Sequence, residues 1–180
     1  MVKTKIINLI GGPSAGKSTL AALIFAELKI RGRQVELVQE FAKTLVWQNK
    51  FEQLKDNLFV YSTQYRLLRD IADTNQVEYI VTDGPLIHGV CYNRKITNDV
   101  YTQASAEEIL IQYHRSFENI NIFVQRGDFK YERIGRYQTE AEARDMDRDI
   151  LQVLDVYKID YIYWTNERQS VSDLVDSIIS

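Results

Sequence analysis

The run Gly11-Gly12-Pro13-Ser14-Ala15-Gly16-Lys17-Ser18 constrains the fold of this chain more than any other segment. It fits G-x-x-x-x-G-K-[ST], a pattern that works only where a strand runs into a tight turn and the turn opens a helix. Both neighbours are present. Lys5-Ile6-Ile7-Asn8-Leu9-Ile10 reads as a short apolar strand, and Thr19 to Arg31 as a helix with the stripe Leu20, Leu23, Ile24 and Leu28. Lys29 and Arg31 suit the dipole of its last turn, and Gly32 closes it. A chance match in a chain of this composition has a probability on the order of 10⁻³ to 10⁻². The chemistry explains the residue types. Glycines let successive N–H groups converge on an anion, and the helix N-terminus adds positive charge there. Gly11, Gly12, Ser14, Ala15, Gly16, Lys17, Ser18 and Thr19 are therefore expected to cradle phosphate. Lys17 would reach the β- and γ-phosphates, and the Ser18 hydroxyl would complete the shell of a Mg²⁺ ion.

Beyond the loop, strand and helix patterns alternate. Gln34 to Gln39 is a second strand, ending at Glu40. A short helix is expected over Phe41 to Trp47 and a long one over Lys50 to Asp73, with Phe51, Leu54, Leu58, Tyr61, Tyr65, Leu68 and Ala72 on one face. Glu78 to Thr82 is a third strand, ending at Asp83. Helical pieces follow near Leu86 to Tyr92 and Ala106 to Phe117, then a fourth strand, Asn121 to Gln125. Arg126 to Gln138 is polar and aperiodic. Thr139 opens a helix with Glu142 completing a capping box. Asp160 to Trp164 is a fifth strand, and a last helix starts near Ser170. Five alternations predict an α/β fold with a parallel sheet and helices on both faces. Ligands then sit at the carboxyl ends of the strands, where the glycine loop, Glu40, Asp83 and Arg126 fall.

The 180 residues suit one domain, 1–180, and the net charge of −3 provides no global basic field for nucleic acid or anionic membrane. The single cysteine, Cys91, excludes an intrachain disulfide and fits a cytoplasmic setting. No signal segment or membrane span is expected. His88 and His114 lack metal-spaced partners and read as ordinary residues.

Four blocks, G-G-P-S-A-G-K-S-T, V-Q-E-F-A-K, I-V-T-D-G-P-L and Y-E-R-I-G-R-Y-Q-T-E-A-E-A-R, together resemble the P-loop kinases of the nucleoside and nucleotide type. The nearest likeness is to the nicotinamide-riboside-kinase-like ATPase family, common among bacteriophage proteins. The resemblance covers most of the chain. It implies a three-layer P-loop NTPase fold with sheet order 2-3-1-4-5, a lid at 126–138 after strand four, and ATP with Mg²⁺. It also implies that Thr165-Asn166-Glu167-Arg168 lies against the adenine ring.

The remaining residues carry paired readings. Asp83 would hold Mg²⁺ beside Ser18, or else cap the next helix. Glu40 would accept a proton from an acceptor hydroxyl, as an acidic residue at the end of strand two does in similar nucleoside kinases. If the acceptor is a phosphate, Glu40 would bind sugar or metal-bound water. Arg133 and Arg136, with Arg126 and Lys130, would stabilise charge on the transferred phosphoryl group, or else form a solvated loop. Arg144 and Arg148 are expected in surface ion pairs with the acidic residues Asp145, Asp147 and Asp149 around them. Phe41, Trp47, Tyr61, Tyr65 and Tyr92 are aromatic candidates for stacking on a base, with Tyr61 and Tyr65 expected in the core. Gln64 would reach a base edge.

The leading expectation is a kinase acting on a small nucleoside- or nucleotide-type acceptor. A kinase acting on DNA ends or modified bases in DNA is a second reading, and a nucleotide-dependent switch working through a protein partner a third. A guanine-reading N-K-x-D block is missing after strand four, where Val124-Gln125-Arg126-Gly127 stands.

Overall fold

A computed structural model describes residues 3–96, 100–127, 139–165 and 170–180, with the side chains of 96, 100 and 101 left aside. Its strands are β1 (Lys5–Ile10), β2 (Val35–Val38), β3 (Tyr79–Thr82), β4 (Glu118–Gln125) and β5 (Ile162–Thr165). They form one sheet in the order β2-β3-β1-β4-β5, and every pairing is parallel. The helices are α1 (Lys17–Ile30), α2 (Phe41–Trp47), α3 (Phe51–Lys55), α4 (Asn57–Ala72), α5 (His88–Ile96), α6 (Val100–Arg115), α7 (Glu140–Val156) and α8 (Val171–Ile179). This is the three-layer P-loop NTPase fold.

The period of two along β1 divides the core. Ile7 and Leu9 face one layer, where α1 supplies Leu20, Ile24 and Leu28 and α8 supplies Val175 and Ile178. Ile6 and Ile10 face the other, packing with Leu68 of α4, Val90 of α5, Leu110 of α6 and Met146 and Ile150 of α7. Asn8 lies between Ile6 and Ile10 on that second face. Its amide donates to Asn119 and Asn121 at 2.9 and 3.0 Å, so a polar ladder pins β1 against β4.

Several element boundaries depart from expectation; α5 runs on to Ile96, α6 already starts at Val100, and three further departures have a visible cause or consequence. The stripe over Lys50 to Asp73 is broken at Asp56 into α3 and α4, because the Asp56 carboxylate accepts the Phe59 N–H at 3.0 Å and caps a new helix. Strand β4 starts at Glu118, earlier than expected, since Asn119 and Asn121 are strand residues of the ladder. Strand β5 starts at Ile162, after Asp160. The capping box at Thr139 and Glu142 is present as expected.

Candidate functional site

Strand β1 delivers the glycine loop to the carboxyl edge of the sheet, and α1 leaves it at Lys17. Gly16 sits at φ 97°, a backbone that admits the sharp entry into the helix. Lys17 is buried. Its ammonium donates to the carbonyls of Gly11 and Gly12 at 2.8 and 2.9 Å. Both N–H groups of those glycines are taken by side chains from the rest of the chain. The Gly11 N–H donates to His88 Nε2 at 3.2 Å, and the Gly12 N–H to Asp147 Oδ1 at 2.6 Å. A Cβ on Gly12 would lie 2.5 Å from the Ala143 carbonyl oxygen and 2.6 Å from Asp147 Oδ1, so α7 docks on the loop at glycine distance.

Asp83 follows β3 and is buried. Its Oδ2 accepts the Ser18 hydroxyl at 2.5 Å, and its Oδ1 accepts the Glu40 N–H at 2.9 Å. The carboxylate thus ties the ends of β2 and β3 to the start of α1. A hydroxyl and a carboxylate side by side are hard oxygen donors of the kind Mg²⁺ takes, so these residues fit that ion. Gly84 lets the two strand ends meet: a Cβ there would fall 2.8 Å from Glu40 Cα. Among the described residues no cluster of three or more His, Cys, Asp or Glu side chains is poised for a metal.

Arg126 follows β4 and turns to α7. Its Nε donates to Asp147 Oδ2 at 3.0 Å, and a terminal nitrogen donates to the Ala143 carbonyl at 3.4 Å. Arg133 and Arg136, and the lid segment 126–138 beyond Gly127, lie outside the described residues, as do Asn166, Glu167 and Arg168 of the expected adenine loop. Arg144 pairs with Glu140, and Arg148 with Asp145, both exposed. Asp147, expected among those surface charges, reaches the glycine loop instead.

A cavity of about 400 Å³ opens beside the loop. Gly11, Lys17, Glu40 and His88 line it at one side, and Phe51, Leu54, Val60, Tyr61, Tyr92, Met146 and Ile150 elsewhere. Of the expected aromatics, Tyr61 and Tyr92 belong to its wall, and Tyr61 is also core. Tyr65 stacks on Tyr113 with centroids 4.2 Å apart, Phe41 meets Phe59 edge-on, and Trp47 is exposed. Gln64 is not at a base edge. It is buried with its oxygen on the Phe41 N–H at 2.8 Å and its nitrogen toward Thr82. His88 is not an ordinary residue. It is 3 % exposed, lines the cavity and holds the loop, and burial with Lys17 nearby pushes its pKa well below the usual histidine range. The sequence signal that points to it is its place just after the D-G-P turn, at the start of α5.

No helix among the described residues is long and apolar enough to cross a membrane. A family model described as an AAA domain matches residues 6–170. No curated protein matches. Among solved structures, the APS kinase of Mycobacterium tuberculosis, as a Cys-to-Ala mutant, is similar at 13% identity and a TM-score of 0.49, covering 99% of this chain and 96% of its own. With the glycine loop, the parallel sheet and the matched span together, the chain belongs to the AAA-domain family of P-loop proteins.

Proposed function

We propose that the chain is an ATP- and Mg²⁺-dependent kinase of the nicotinamide-riboside-kinase-like, phage-type group, acting in the cytoplasm on a small nucleoside- or nucleotide-type acceptor. The observation that carries this reading is the cavity of about 400 Å³ whose lining joins Gly11 and Lys17 of the phosphate loop to Glu40. Its size and largely apolar walls suit a nucleoside-sized molecule. A switch that only hydrolyses nucleotide needs no such space beside the γ-phosphate.

In this reading the loop residues Gly11 to Thr19 hold the ATP phosphates, Gly11 and Gly12 by shaping the turn while their N–H groups stay on His88 and Asp147, and Lys17 moves from their carbonyls to the β- and γ-groups. Ser18 and Asp83 hold the metal, which neutralises charge on the phosphates when bound. An acceptor hydroxyl oxygen attacks the γ-phosphorus while the bond to the β–γ bridging oxygen breaks. ADP leaves, and the hydroxyl proton passes to the Glu40 carboxylate. Arg133 and Arg136, on a lid at 126–138 within a single domain, stabilise the charge on the transferred group. Arg126 serves the nucleotide indirectly, by anchoring Asp147 against the loop.

The test is an ATP-consumption screen over nucleosides, deoxynucleoside monophosphates, nicotinamide riboside and oligonucleotides. One small acceptor is expected to raise turnover by about tenfold or more, and Lys17→Ala to abolish it. Tight ATP binding with no acceptor accelerating turnover would sink the kinase reading. Stimulation by oligonucleotides alone would replace the small acceptor with nucleic acid.

A further inference from the structure

His88 presents two nitrogens with different fates. Its Nε2 faces the Gly11 N–H at 3.2 Å. A backbone N–H can only donate, so Nε2 offers its lone pair, and the neutral ring carries its proton on Nδ1. That Nδ1–H makes no hydrogen bond among the described residues, and it is not sealed from solvent. The rest of the side chain is buried, and the ring lines the cavity. The open space that Nδ1 meets is therefore the cavity itself. Much of the surrounding wall is apolar or aromatic, from Phe51, Leu54, Val60, Tyr92, Met146 and Ile150. The lining also carries Lys43, Lys55, Asn57, Lys95 and Glu142, and an oriented donor against the apolar part of the wall is an arrangement that fixes a ligand's pose.

We propose that His88 contacts the phosphoryl acceptor directly: Nδ1–H donates to an oxygen of a nucleoside-sized molecule, a ring carbonyl or sugar hydroxyl, while Nε2 holds Gly11. This rests on the kinase reading above and names the chemistry its acceptor must carry. A site built around a donor rejects analogues lacking the matching oxygen far more strongly than a purely apolar pocket does, because the donor is then left buried and unpaired. The same ring touches the donor loop and the acceptor, so a filled cavity steadies Gly11, on whose carbonyl Lys17 is held.

The experiment uses the ¹⁵N-labelled full chain with ATP, Mg²⁺ and deoxythymidine, deoxycytidine or nicotinamide riboside as probes. The His88 and His114 ring signals are assigned with His88→Gln, and turnover is followed in parallel. In the Gln variant the side-chain oxygen takes the place of Nε2 at Gly11, and the donor at the Nδ1 position is lost, because the amide nitrogen is carried one bond further out. One nucleoside is expected to move the His88 Nδ1 signal and leave that of His114. The variant is expected to raise the KM for that acceptor about tenfold, with the KM for ATP within about twofold of wild type. An unchanged acceptor KM in His88→Gln, or a still His88 signal while the acceptor turns over, overturns the proposal and leaves the kinase reading standing. A moved signal with no acceptor-stimulated turnover supports the His88 contact and sinks the kinase reading. With neither, both fall.

Discussion

Asp147 accepts the Gly12 N–H with one oxygen and Arg126 Nε with the other, and Lys17 is held on the Gly11 carbonyl of that same peptide group. The carboxylate therefore reaches the loop lysine through one peptide group. Asp147→Ala leaves that N–H without a partner and Arg126 Nε without its carboxylate in a half-buried place, which costs on the order of 1–3 kcal/mol. Acceptor-stimulated kcat is expected to fall about tenfold in Asp147→Ala, and Asp147→Asn, which keeps an oxygen for Gly12, to recover most of it. Wild-type kcat in the Ala variant, or no recovery with Asn, would show that the contact does not steady the loop. Single residues differ in how they announce themselves. Ser18 and Asp83 meet because each stands where a strand or motif ends, and such ends are visible in sequence. His88 and Asp147 reach the loop from 77 and 135 residues away. No spacing rule carries that distance; Asp147 sits among alternating charges that look like any solvated helix face.

Elements were legible to the degree that periodicity governs them. The five strands, the sheet order and the capped start of α7 follow from apolar runs, family likeness and the Thr139–Glu142 pair. The break at Asp56 was not, because the apolar stripe continues in phase on both sides of it and only a side-chain cap marks the division. The close approach of Gly84 to Glu40 past the ends of β2 and β3 was hidden, although it positions Glu40. Gly84 allows it, and a methyl there would press on the backbone Cα of Glu40 at 2.8 Å, with the buried Gln64 side chain at 3.2 Å, so the contact does not yield easily. Gly84→Ala is expected to cost about 1–3 kcal/mol of stability. It should also lower acceptor-stimulated turnover beyond any change in ATP affinity, since the Glu40 N–H to Asp83 contact at 2.9 Å must lengthen. Thermal unfolding and steady-state kinetics check this; an unaltered melting temperature would mean the strand ends have slack that the structure does not show.

Across the whole molecule, two histidines are buried without charge, one in the site and one in the last turn of α6. His114 packs at 4 % exposure with its Nδ1 unpartnered among the described residues, and burial pushes its pKa down to about 4 from 6.5. His88 is shifted in the same direction by burial and Lys17. A folded pKa below the unfolded one means that the unfolded chain binds more protons between the two values, so stability rises with pH across that window. From His114 alone, acidification from about pH 7.5 to about pH 5 removes about 2 kcal/mol, and His88 adds to the loss. Glu107 and Glu142, whose pKa values lie below 4.5, lose their contribution only at lower pH, so they do not mask the effect. Urea unfolding at the two pH values is expected to show a drop of at least about 2 kcal/mol in the wild type. His114→Gln should remove about 2 kcal/mol of that pH dependence, whatever it does to stability at neutral pH. His88→Gln should remove a further share, because its ring is the more deeply desolvated of the two and stands beside a lysine. If both variants keep the wild-type slope, the acid sensitivity arises from the carboxylates, and neither imidazole is held neutral by the fold.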